Sequence, residues 1–152
     1  MKRFFVLVFL LLSCGSYDHI DREDLLTNAK TKVQTQNGVW IYTNMAFEEG
    51  ELENIMLNLD NRLEGFVDCM AGIFGIDVDI SPLTHEVFPV VLVPHEFECE
   101  FHDWCGGEHH SNPNFIVIAK NTPDGGNFRF WEEELCDTFV GDGCQTDFKE
   151  CI

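Results

Sequence analysis

The chain has 152 residues, 27 acidic side chains against 9 Lys and Arg, and a formal net charge of −18. An acidic excess of this size excludes binding to nucleic acid, and to anionic lipid through a basic patch, because both require clustered cations. Hydrophobic residues make up 45% of the sequence, 14 of them Phe, which is enough to build one core in what the length suggests is a single domain.

The chain begins Met1-Lys2-Arg3, continues as an uninterrupted apolar run from Phe4 to Leu12, and then reads Ser13-Cys14-Gly15. A basic start, a short apolar stretch and a small residue before a cleavage point describe a secretory signal. The apolar run is far shorter than the roughly 20 residues needed to span a bilayer. Leu11-Leu12-Ser13-Cys14 resembles the lipobox of bacterial lipoproteins. That resemblance implies that residues 1–13 are removed and that Cys14 carries the lipid, so that the mature chain is held at the membrane by acyl chains. Gly15 in place of Asp implies, by the same resemblance, the outer membrane, with the domain in the periplasm or at the cell surface. Loss of residues 1–13 takes Lys2 and Arg3 with it, leaving 27 acids against seven bases, a mature charge near −20. Such a charge favours solubility, and it also favours cations or basic partners.

Residues 14–36 are polar and predict a tether, with at most a helical turn around Leu25-Leu26. A single domain is then expected over 37–152. Gly38 to Thr43 is rich in β-branched and aromatic residues and predicts a strand. Leu52, Ile55, Met56, Leu59, Leu63, Phe66, Val67, Met70 and Ile73 recur at steps of three and four, the apolar face of a long helix that Gly72 and Gly75 would end. Val87 to Val93 predicts a strand buried on both faces, with Pro89 marking an edge or a bulge. A loop rich in His, Glu and Cys is expected over 95–114, followed by a strand at Phe115 to Ala119 and a turn at 121–126. Phe128, Trp131, Leu135 and Phe139 lie at helical spacing, and Gly141 and Gly143 would close that helix. The predicted class is α+β: a small mixed sheet, a long amphipathic helix and a C-terminal helix.

Beyond Cys14 there are six cysteines, Cys69, Cys99, Cys105, Cys136, Cys144 and Cys151. An even number in an exported chain predicts three disulfides, with Cys99–Cys105 the first pairing to expect. The spacings do not match the close pairs of structural zinc sites. Paired thiols are not nucleophiles, and the sequence has no Gly-x-Ser-x-Gly elbow and no phosphate-binding glycine loop.

The C-terminal helix carries Glu133-Glu134-Leu135-Cys136-Asp137. A sheet and a backing helix followed by a helix with a Glu at this place resemble the N-terminal half of zincin metallopeptidases, whose helix bears His-Glu-x-x-His. The resemblance implies a zincin-like scaffold with Glu134 in the place of the general base and Glu133 and Asp137 in the places of the two zinc-binding histidines. Two carboxylates there disfavour zinc, so the motif is degenerate. His85-Glu86 also begins such a motif, but Pro89 occupies the second histidine position. A second cluster, with His95, His102, His109 and His110 among five acids, could supply imidazoles to a divalent metal ion. The expectation is therefore a lipid-anchored envelope protein with a non-catalytic binding domain, facing a protein partner of the envelope or the extracellular space. The alternative is a metal-dependent hydrolase in which Glu134 is the base and Glu133, Asp137 and the loop histidines are the ligands.

Overall fold

A computed structural model describes residues 19–99, 104–123, 127–141 and 143–152. The expected signal sequence, Cys14, the first residues of the expected tether, and His102 lie outside the described residues.

The domain begins earlier than the polar composition suggests. Where 14–36 predicts a tether, the structure has helix α1 (Arg22–Asn28) and strand β1 (Thr31–Gln34). Asp21 caps α1 by accepting the amide of Asp24 at 3.0 Å. The segment folds because its few large apolar side chains, Ile20 and Leu25, are buried against the sheet. In β1, exposed Lys32 and Gln34 alternate with half-buried Thr31 and Val33, a period of two too short to stand out in the sequence.

Strand β2 (Trp40–Thr43) leads into the long helix α2 (Glu51–Cys69). Beyond Cys69 the chain widens into a π-type turn, Met70–Phe74, so Gly72 lies inside the helical run and only Gly75, at φ 67°, terminates it. Leu59, Leu63, Phe66 and Met70 are at most 2% exposed. Each such side chain contributes about 1.5–3 kcal/mol by leaving water.

Strand β3 (Val90–His95) is central, not an edge. Pro89 sits one residue before it, where its missing N–H costs no ladder bond and its carbonyl accepts the amide of Ile116 at 3.2 Å. The expected 95–114 loop contains a fourth strand, β4 (Gly107–Ser111), which forms a hairpin with β5 (Asn114–Asn121). Helix α3 (Trp131–Phe139) starts three residues later than Phe128, which has φ 57° and cannot be helical. A short helix α4 (Cys144–Asp147) follows.

The sheet runs β1-β2-β3-β5-β4. The inner strands β2, β3 and β5 are parallel, and β1 and β4 are antiparallel edges. Alternation sends Ile41, Val90, Leu92, Ile116 and Ile118 toward α2 and α3, and Tyr42, Val91, Val93, Phe115 and Val117 toward α1. Both faces are covered, which is why β3 and β5 read as continuous apolar runs. The architecture is thus α+β around a five-stranded mixed sheet. Disulfides join Cys69 to Cys151, Cys99 to Cys105 and Cys136 to Cys144, with Cα separations of 5.6–5.7 Å. No helix among the described residues is long and apolar enough to cross a membrane.

Candidate functional site

Helix α3 opens with three consecutive glutamates, and helical geometry sends them in three directions. All three lie in the first turn, where the positive end of the helix dipole favours acids. Glu132 turns toward α2. There Arg62 donates through Nε to its Oε1 at 2.6 Å and grips its other oxygen as well, while also bonding the carbonyls of Asn127 and Phe128 at 2.9 Å. Glu133, its side chain only 13% exposed, pairs with Arg129 at 2.8 Å.

Glu134 turns inward against edge strand β4. A Cβ on Gly107 would lie 2.6 Å from Glu134 Cγ and 2.7 Å from its Oε1, so only glycine leaves room for this side chain. Burial, then the charges of Asp137, Glu133 and Glu108, push the Glu134 carboxyl up to about 8. At neutral pH it is therefore mostly protonated, a hydrogen-bond donor rather than a ready base.

Two residues along β4 on the same face, His109 stacks on Phe88 with centroids 5.9 Å apart, and Phe88 in turn meets Phe139 of α3. Burial, followed by the neighbouring His110, lowers the pKa of His109, and its side chain also bonds that of Asn114. Its Nε2, like the Oγ1 of Thr138 one turn beyond Glu134, is buried with no hydrogen-bond partner among the described residues.

His110 points to the opposite face, as strand alternation requires. Its ring stacks on Phe115 at 4.4 Å, and its Nε2 lies 2.7 Å from Glu108 Oε2. Arg22 of α1 reaches the same carboxylate from Nε at 3.1 Å. Arg22 Nε also donates to Nε2 of His110 at 3.0 Å, so the guanidinium, the imidazole and the carboxylate meet at one point. Burial raises the Glu108 pKa, but the hydrogen bonds from His110 and Arg22 outweigh it and leave the group below its ordinary value.

The proposed ligand set is accordingly dispersed. Glu133 is engaged by Arg129, Asp137 is exposed, His95 is exposed at the carboxyl end of β3, and His109 and His110 face opposite sides of the sheet. The His-rich segment does pack on α3, through β4, but what it presents to Glu134 is Gly107. Among the described residues no three His, Cys, Asp or Glu side chains come together to hold a metal ion. Among the described residues, the donors of α3 and β4 do not converge on one point. Nothing in the sequence pattern singles out Gly107, Arg22 or Tyr42. The alternation Glu108-His109-His110 within the expected loop is the one signal that a strand places those residues on different faces. Comparison with known protein families, with curated proteins and with solved structures returns no match.

Proposed function

We propose that this chain is an exported, lipid-anchored lipoprotein whose domain binds a partner without catalysis, on a zincin-like scaffold whose C-terminal helix has given up metal ligation for internal packing. The leader and Cys14 support export and anchoring. The order of β2, α2, β3, β5 and α3 supports the scaffold. The observation that carries the non-catalytic role is the geometry at Glu134: it holds the general-base place, yet its side chain packs against Gly107 and it is flanked by acids where imidazoles would be needed.

The test uses the intact, oxidised chain purified without a histidine tag. Elemental analysis after dialysis against trace metals is expected to give no stoichiometric transition metal, and a panel of peptide substrates is expected to remain uncut. One tightly held ion per chain, together with hydrolysis that Glu134→Gln abolishes, would replace this proposal with the hydrolase. Anchoring is checked separately by incorporation of labelled palmitate, expected in the native chain and lost in Cys14→Ser.

A further inference from the structure

A cleft of about 670 Å³ opens on the α1 side of the sheet, between α1, the segment before β3, and the β4–β5 turn. It lies on the face opposite Glu134, so its occupancy does not depend on the chemistry of α3. Leu26, Pro89 and Phe115 form apolar walls, and the carboxylates of Glu23 and Glu86 stand among its lining residues. Glu86 is fixed there by the hydroxyl of Tyr42, which donates to it at 3.2 Å. Arg22 in the lining is held by Glu108, and Glu23 and Glu86 are both exposed there to meet a cation.

The chain itself displays the chemistry that suits this place. The ammonium of Lys32 sits 4.8 Å from the centre of the Tyr42 ring and donates to the carbonyl of Thr27 at 3.4 Å. Tyr42 and Thr27 both line the cleft. An ammonium is thus already seated at its border by an aromatic face and a carbonyl, the arrangement that recognises alkylammonium groups.

We propose that the cleft binds a lysine side chain of a basic polypeptide partner, its methylenes along Leu26, Pro89 and Phe115 and its ammonium at Glu86 and Glu23. Two features favour a polypeptide over a small amine. Val87 beside the cleft is 81% exposed, an apolar side chain that residues flanking the lysine would cover. The net charge of −18 also draws a basic chain from a distance and orients it.

The experiment is calorimetric titration of the intact, oxidised chain in mild detergent with a capped pentapeptide carrying one central lysine between two leucines. Saturable binding is expected, weakened about tenfold by acetylating the lysine and about tenfold by Glu86→Gln, each the loss of one charged contact. Glu23→Gln, on the exposed side of α1, is expected to weaken binding in the same direction and serves if Glu86→Gln disturbs the fold. Glu53→Gln, an exposed acid on α2, is expected to leave binding unchanged. The proposal is overturned if no binding is seen, if the acetylated peptide binds as well, or if Glu53→Gln weakens binding as much as Glu86→Gln, which would reduce the effect to diffuse charge. Equal affinity for pentylamine would overturn the polypeptide partner and assign the cleft to small amines.

Discussion

At the scale of single residues, Glu134 couples the fold to pH. Its folded-state pKa lies near 8, well above the ordinary carboxylate value of 4.5. Below the unfolded value both states hold the proton and the group does not affect stability relative to its neutral form. Between 4.5 and 8 the folded state keeps a proton that the unfolded chain releases, so stability falls as pH rises, and the full penalty is reached above pH 8. Glu134→Gln keeps the shape and cannot ionise. The variant is expected to unfold at nearly the same temperature as the native chain at pH 4.5 and to be more stable by about 1–3 kcal/mol at pH 8.5, since some solvent reaches the site and tempers the full shift. Melting both proteins across that range checks it, and parallel curves would refute it. In the sequence Glu134 was singled out only by the resemblance to the zincin motif, and its protonation was not legible there. That depends on Gly107, which lies 27 residues earlier in sequence and on a strand hidden in what looks like a polar loop.

At the scale of elements, legibility followed the amount of apolar patterning. Helix α2 and strands β3 and β5 were plain because long runs of large apolar residues fix their period. β1 and β4 escaped the pattern because they are short and polar, and α1 showed only as a helical turn around Leu25-Leu26; the order of all three comes from tertiary partners. β4 is Gly107-Glu108-His109-His110-Ser111, with no aliphatic residue at all, and it is a strand because β5 pairs with it and because Glu108 and His110 meet Arg22. This makes the attachment of α1 depend on that network. Glu108 titrates below its ordinary value in the fold, so the contribution of the network is present above the unfolded carboxylate range and is lost as pH falls through the lowered value. Arg22→Gln takes the guanidinium away from a carboxylate that is only 12% exposed. It is expected to cost about 1–3 kcal/mol at neutral pH. The protection factors of the Leu25 and Leu26 amides, corrected for intrinsic exchange at each pH, are expected to fall in Arg22→Gln at pH 7 and in the native chain once Glu108 is protonated, while β3 amides stay protected. Unchanged exchange in α1 under both conditions would show that Ile20 and Leu25 hold the helix unaided.

At the scale of the whole molecule, the three disulfides do unequal work, and their sequence separations say which matters most. Cys99–Cys105 and Cys136–Cys144 close loops of 6 and 8 residues within neighbouring segments. Cys69–Cys151 spans 82 residues and ties the C-terminal end to the end of α2, enclosing β3, β4, β5 and α3 in one covalent loop. Cross-linking removes entropy from the unfolded chain in proportion to the logarithm of loop length. Its advantage for an 82-residue separation is about 4 kcal/mol, against about 2 kcal/mol for the shortest loop. The even cysteine count foretold three bridges, but the long one could not be chosen among fifteen pairings without knowing that the chain end returns to α2, where Phe74 and Phe148 pack edge to face at 5.0 Å. Replacing Cys69 and Cys151 together by Ser is expected to lower unfolding stability by about 3–4 kcal/mol in denaturant titrations, roughly twice the loss for the Cys99/Cys105 double variant. Because β3 to α3 fold inside the long loop, the Cys69/Cys151 variant is also expected to show a larger denaturant slope, as its unfolded chain is less confined and exposes more surface. An equal loss from the two double variants, with equal slopes, would mean that local packing around each bridge, not chain confinement, sets its contribution.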